Sequence, residues 1–295
     1  MHEAMAYEPV SPVRTRMVEI RGIDLNVNEW GDKDAETLLY LHGWGDTGSS
    51  FQFVADELGD RWRVIAPDWR GFGRSAWNAA SYWFPDYLAD LDHLVDALGI
   101  AEPIKLIGHS MGANVGGLYA GALPARVSHF INVEGFGLPE TNPADSPGRY
   151  RDWLLKSRET PAFRTYADFE ALAEHLKGRS PLLCEERAEF VARLWARTTG
   201  EGIELRMDPN HKLPNPILYR RAEAEACWRA VEAQVLLVIG NKSRFARRLK
   251  ADQESGGAKR FFPDADTVVV DGAGHMIHFE APAELASAID RFMRL

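Results

Sequence analysis

Pro103-Ile104-Lys105-Leu106-Ile107-Gly108-His109-Ser110-Met111-Gly112-Ala113-Asn114 is the stretch from which the fold of this chain can be read. The apolar run from Ile104 to Ile107 predicts a buried strand. Gly108-His109-Ser110-Met111-Gly112 is a G-x-S-x-G pattern, and the small residues Ala113, Gly116, Gly117 and Ala120 predict a closely packed helix. A strand, a sharp turn and a helix with serine at the apex form the context in which this motif presents a reactive hydroxyl. A serine there is held in a strained backbone conformation, so the positions two before and two after it must be small, as Gly108 and Gly112 are. Ser110 Oγ is thereby pushed clear of the sheet. The Met111 N–H falls at a helix N-terminus, where negative charge can be held. The pentapeptide alone does not separate a nucleophile from an ordinary serine in a glycine turn, so its partners have to be found elsewhere in the chain.

Working outward, residues 17–21 alternate and turn at Gly22 into 25–30, the pattern of an antiparallel hairpin. Thr37–Leu41 is a continuous apolar run, which suits a strand covered on both faces. A helix is expected over 51–58 and a strand over 62–67. Leu88, Leu91, Leu94, Val95 and Leu98 give 87–98 the spacing of an amphipathic helix, closed by Gly99. Beyond the serine, Val127–Val133 is again strand-like and ends at Glu134. The rhythm then breaks: 138 to about 229 carries helical patterns only, at 150–158, 168–176, 185–198 and 216–230, with a loop-rich 201–216 between. Strands resume at 235–239 and 267–270, and a last helix covers 282–293. Strand and helix in alternation predict an α/β fold with a mostly parallel sheet and right-handed crossovers. Residues 1–137 and 230–295 are expected to form its core. The insertion 138–229 is expected to form a helical cap, or lid, over the carboxyl ends of the strands, where such sheets bind ligands.

With 295 residues, 45% of them hydrophobic, the chain can bury a large core. Its 34 Lys and Arg against 43 Asp and Glu leave a net charge of −9, which argues against nucleic acid and for a small-molecule substrate as partner. Cys184 and Cys227 lack metal-ligand spacing and fit a reducing, cytoplasmic setting. Residues 1–16 contain Glu3 and Glu8 and no apolar stretch of the secretory type, and no apolar run reaches the roughly 18 residues of a membrane span. A cytoplasmic protein, monomeric or homodimeric, is expected. No H-E-x-x-H or C-x-x-C occurs and no G-x-G-x-x-G follows the first strand, so no metal or cofactor is expected.

A serine nucleophile needs a base, an orienting acid and donors for an oxyanion. His275, in the glycine-rich Asp271-Gly272-Ala273-Gly274-His275-Met276 after the last strand, is the candidate base. His42 precedes the serine and is its rival, and His278 is expected to face the lid or the surface. The second oxyanion donor is expected from His42-Gly43-Trp44-Gly45, where the Trp44 amide joins that of Met111. The acid is less direct. The usual slot, after the strand at 235–239, reads Gly240-Asn241-Lys242-Ser243-Arg244 and holds no carboxylate; the first to follow is Asp252. Glu134 ends the strand after the elbow helix and is the preferred candidate, with Asp252 and a purely structural Glu134 as alternatives. Asp68 and Arg70, in Asp68-Trp69-Arg70-Gly71-Phe72-Gly73-Arg74-Ser75, are read as bracing that loop. Gly43, Phe72 and Phe136 are candidate substrate contacts.

These pieces together, His42 to Gly45, Asp68 to Ser75, Gly108 to Gly112 and Gly272 to His275, resemble the α/β-hydrolase superfamily over residues 17 to 295. The resemblance implies an eight-stranded, mostly parallel sheet whose second strand is antiparallel, flanked by helices, with a cap after the sixth strand. It departs from the common pattern at Ser243, where the acid is expected. In placing an acid after the sixth strand it is similar to haloalkane dehalogenases and serine-hydrolase-like proteins, but its nucleophile is Ser110 where the dehalogenases use aspartate. That implies a serine esterase working through an acyl-enzyme on a small apolar or aromatic ester. A carbon–carbon hydrolase of dienone acids, with Arg193, Arg197, Arg220 or Arg221 as the carboxylate partner, and a non-catalytic binder on the same fold are the alternatives.

Overall fold

A computed structural model describes residues 7–78, 80–180, 182–244, 246 and 260–294. Its strands are β1 (Arg14–Ile20), β2 (Ile23–Trp30), β3 (Thr37–Leu41), β4 (Arg63–Pro67), β5 (Ile104–His109), β6 (Val127–Val133), β7 (Ala196–Thr199), β8 (Gly202–Leu205), β9 (Gln234–Gly240) and β10 (Asp266–Val270). Eight of them form one sheet in the order β1-β2-β4-β3-β5-β6-β9-β10. β2 runs antiparallel to both of its neighbours, and every pair from β4 to β10 is parallel. This is the fold the resemblance implied, including the single reversed strand.

The burial pattern explains why β3 and β5 read as unbroken apolar runs. Helices cover both faces of a parallel sheet, so successive side chains meet a core whichever way they point. On one face α2 (Phe84–Leu98) and α3 (Met111–Ala122) pack over Leu39, Leu41, Leu106 and Phe130. On the other, α1 (Gln52–Leu58) and the terminal α9 (Pro282–Phe292) pack over Leu38, Tyr40, Ile107 and Ile131. Between them lies α8 (Ile277–Glu280), a single turn. The amphipathic α2 buries Tyr87, Leu91, Leu94 and Val95, and stops at Gly99, whose φ of 61° provides the left-handed cap.

The insertion between β6 and β9 holds α4 (Ser146–Lys156), α5 (Phe169–Arg179), α6 (Glu185–Trp195) and α7 (Arg221–Arg229). It is not purely helical, as the sequence pattern suggested. The helix expected to run to 198 stops at Trp195, and the chain turns into the β7–β8 hairpin. The helix expected from 216 begins only at Arg221. Thr198 and Thr199 are β-branched residues at the end of a helical pattern, and Gly200 and Gly202 flank the turn, so local strand and turn preference prevails there. α5 and α6 share a small core of their own, Leu172, Ala173, Leu176, Ala188, Val191 and Ala192, which rests on Phe53 of α1 and Phe279 of α8. Among the described residues no helix is long and apolar enough to cross a membrane.

Candidate active site

The carboxyl ends of β3, β5, β6, β9 and β10 are neighbours, and the loops that leave them converge. After β5, Ser110 takes φ 50° and ψ −111°, a conformation that L residues avoid, before α3 begins at Met111. The turn is made possible by close packing. A Cβ on Gly112 would lie 2.1 Å from the Leu41 carbonyl oxygen, and one on Gly108 would lie 2.5 Å from Ala113 Cα. The Ser110 N–H donates to the Val133 carbonyl at 2.9 Å. Its side chain stays partly exposed in an otherwise buried segment. The loop after β3 presses against the same turn: a Cβ on Gly43 would meet Ser110 Cβ at 3.2 Å and His109 Nδ1 at 2.9 Å. Trp44 follows in a turn closed by Asp46 N–H to Gly43 C=O, with its indole half exposed. The Met111 N–H belongs to the first turn of α3, whose amides have no acceptor within the helix.

His275 reaches this turn from the loop after β10. Its Nε2 is 3.1 Å from Ser110 Oγ and its Nδ1 is 3.3 Å from Glu134 Oε2. Ser110, His275 and Glu134 therefore form one hydrogen-bonded chain. Glu134 is fully buried and also has a positive φ, 60°. Its Oε1 accepts from the Gly240 N–H at 2.8 Å, and its Oε2 accepts from the Ser243 hydroxyl at 2.5 Å. The slot after β9 that lacks a carboxylate thus still serves this group, by donating two hydrogen bonds to the carboxylate from β6. Asp252 lies outside the described residues.

Behind His275 stands a buried set that the sequence reading did not assemble. His109 Nε2 is 2.9 Å from the His275 carbonyl oxygen, which only an Nε2–H can serve as donor. Burial, with the neighbouring His278 and His275, holds the His109 imidazole well below its ordinary pKa, so the ring is neutral at pH 7. His278, expected toward the lid or the surface, is fully buried and bonded to Asp46 Oδ2 at 3.0 Å. It lies on the one-turn α8, whose inner side faces α1 and the sheet. Burial pushes the Asp46 carboxyl up, but the hydrogen bond and charge of His278 outweigh it and leave Asp46 below the ordinary carboxylate range. Asp46 Oδ1 also accepts from the indole N–H of Trp195 at 2.9 Å, so a residue of the insertion is bonded to the loop that carries Trp44. Histidines dispersed in sequence are thus gathered in space: one ligand atom each of Asp46, His109 and His278 lies within 4.8 Å of the others. Glu280 accepts from the Gly274 N–H at 2.5 Å, and burial raises its carboxyl. No spacing rule in sequence points to this set; what marks it is polar character at positions that the fold buries.

The remaining candidates divide. Asp68 accepts from Asn26 and Asn28 side chains and from the Gly48 and Arg74 backbone amides, and Arg70 makes a two-pronged bond of 2.5 Å on each arm to the buried Asp90 of α2. Both brace their loop, each through separate partners. Phe72 is only 1% exposed and stacks on His211 at 4.1 Å, so it packs the join between sheet and insertion more than it faces a mouth. Phe136 is half-buried, and its carbonyl accepts from Arg221. Of the arginines of the insertion, Arg221 is paired with Glu225 and Arg220 with Glu223, while Arg197 lies over Trp77 and Arg193 over Phe169.

The sequence model of the alpha/beta hydrolase fold matches residues 36–282. The chain belongs to the α/β-hydrolase fold family. Among curated relatives it is similar to a serine hydrolase-like protein of Danio rerio, at 26% identity over 92% of this chain and 85% of that one. It is likewise similar to a 2-(acetamidomethylene)succinate hydrolase of Mesorhizobium japonicum, at 26% identity over 95% of both chains. Among solved structures, a thioesterase domain from the curacin biosynthetic pathway superposes with a TM-score of 0.85 and 26% identity, covering 95% of this chain and 99% of that one. Relatives with hydrolase names over nearly the full length make this α/β-hydrolase a member of a hydrolase family.

Proposed function

We propose that this α/β-hydrolase is a serine hydrolase that cleaves a carboxylic ester through an acyl-enzyme. The observation that carries the reading is the continuous chain from Ser110 Oγ through His275 to Glu134, at 3.1 and 3.3 Å. His275 Nε2 takes the hydroxyl proton as Ser110 Oγ attacks the ester carbonyl carbon, and the carbonyl π pair moves onto oxygen. The Trp44 and Met111 amides hold that oxyanion; the contact of Gly43 with Ser110 supports this placement. Collapse expels the alcohol, which takes the proton from His275. Water, deprotonated by the same imidazole, then releases the acid. Glu134 accepts from Nδ1–H and stabilises the imidazolium. Its other partners, Gly240 and Ser243, are donors that hold the side chain in place. Residues 138–229 serve as the cap. The likeness to a thioesterase domain is consistent with acyl transfer.

Labelling with a fluorophosphonate and turnover of 4-nitrophenyl esters test this. Ser110→Ala is expected to abolish labelling and lower kcat by several orders of magnitude. Retained labelling and turnover in Ser110→Ala overturn the proposal.

A further inference from the structure

Arg206 directly follows β8 and is held by its backbone on both sides: its N–H donates to the Trp195 carbonyl at 2.6 Å, and its carbonyl accepts from Gly73 N–H at 2.7 Å. Its side chain is fastened only at Nε, which donates to the Ala196 carbonyl at 3.1 Å. Among the described residues the two terminal nitrogens have no protein acceptor, and no carboxylate lies within ion-pair distance. Among other half-buried arginines, Arg70 is neutralised by Asp90, Arg63 by Glu29 and Arg221 by Glu225, whereas Arg187 donates to the Phe279 carbonyl. Burial, then the positive charges of Arg74 and Arg197, lower the Arg206 pKa. Asp68 opposes them, but its oxygens already accept four hydrogen bonds. A half-buried cation among cations is short of negative charge.

The same residue lines a small cavity with Gly45, Asp46, Thr47, Phe72, Trp195, Leu205 and Met207; the Asp46 carboxylate is already engaged by His278 and the Trp195 indole. Gly45 and Thr47 belong to the loop that carries Trp44, and the Cβ position of Gly45 is 4.0 Å from Met207 Sδ. The cavity thus adjoins the loop that carries Trp44, with largely apolar walls and a guanidinium fork whose ends meet no protein acceptor among the described residues. A planar fork of this kind matches a carboxylate through two parallel hydrogen bonds. We propose that Arg206 is a specificity-determining residue: the ester cleaved at Ser110 carries a second, free carboxylate, which the Arg206 fork binds in this cavity. The turnover part of this inference rests on the serine-hydrolase reading above; the binding part does not.

The test compares matched esters on one enzyme preparation: 4-nitrophenyl hydrogen adipate against 4-nitrophenyl methyl adipate for a carboxylate on the acyl side, and 4-acetoxybenzoate against its methyl ester for one on the alcohol side. The ratio of kcat/KM within a pair is independent of the fraction of enzyme that folds. The wild type is expected to prefer the anionic member of one pair. Arg206→Met should cut that ratio about tenfold or more, Arg206→Lys should restore part of it, and added salt should erode it. Equal ratios in wild type and Arg206→Met, or no preference in either pair, overturn the proposal. Calorimetric binding of adipate and 4-hydroxybenzoate to Ser110→Ala, with and without Arg206→Met, reads the subsite when no ester is turned over. Absence of turnover then counts against the ester hydrolase, whereas acid binding that is absent, or indifferent to Arg206, counts against the subsite.

Discussion

Ser110 and Glu134 both occupy positive φ, at 50° and 60°, without being glycine. Such conformations cost about 1–3 kcal/mol each and persist only where the surroundings impose them. Both residues stand at the ends of adjacent parallel strands and are linked through His275. For Glu134 the cost is offset by a carboxylate that meets three groups at once, namely Gly240, Ser243 and His275. Glu134→Gln keeps the size of the side chain but puts an amide where an acceptor is needed. It is expected to lower kcat by about 10²–10⁴-fold while leaving fluorophosphonate labelling detectable, since removing the orienting acid spares the nucleophile and oxyanion donors. Gly112→Ala tests the elbow itself. The added Cβ would stand 2.1 Å from a backbone oxygen that cannot move aside cheaply, so both stability in urea and activity should fall.

The elements meet at Asp46. Through it the loop after β3 is bonded to α8 by His278 and to the end of α6 by Trp195. One fully buried carboxylate therefore ties the loop after β3, α8 and the insertion together. Asp46→Ala leaves His278 and the Trp195 indole without their acceptor and should cost about 1–3 kcal/mol in urea unfolding for each buried donor left unpaired. Trp195→Phe removes only the link from the insertion. It should cost about 1–3 kcal/mol, the range for a hydrogen bond to a charged group, and raise KM more than it lowers kcat if the insertion positions substrate. The hairpin β7–β8 belongs to this scale as well. Its strand character was invisible in the helical spacing of 185–198, because the preference is set by Thr198 and Thr199 and by pairing with residues across the turn.

For the whole molecule, pH dependence follows from its buried histidines. Burial holds His42 and His109 below their ordinary pKa, and His211, stacked between Phe72 and Tyr82, is lowered to about 3. In the unfolded chain each takes up a proton near pH 6.5, while the folded protein does not until lower pH. The unfolded state then binds more protons, so stability falls as pH drops below that value, by up to about 1.4 kcal/mol per pH unit for each such histidine. Asp46 acts in the same direction at lower pH, since a carboxyl held low in the fold contributes stability above its unfolded value and loses it as pH falls through the folded one. The urea midpoint should decrease steadily from pH 7 to pH 5, and an unchanged midpoint would show that these rings accept protons without unfolding.

The sequence by itself determined the strand order along the chain, the elbow at Ser110, the base candidate and the preference for Glu134, because each is written as local pattern: apolar period, glycine placement, and a polar residue ending an apolar run. The candidate acid was legible too, since Gly240 to Arg244 hold no carboxylate and Asn132-Val133-Glu134 does. Only the tertiary structure decided what lies beneath and beside those residues. His278 was expected to face the lid or the surface, yet the turn of α8 directs it inward to Asp46, 232 positions away. His109, given no role by the G-x-S-x-G pattern, bonds the His275 backbone carbonyl. Arg206 carried no motif at all; its meaning comes from the acceptors it lacks. Periodicity and turn chemistry are properties of neighbours in sequence, whereas burial, charge balance and hydrogen-bond satisfaction depend on which distant segments the fold brings together.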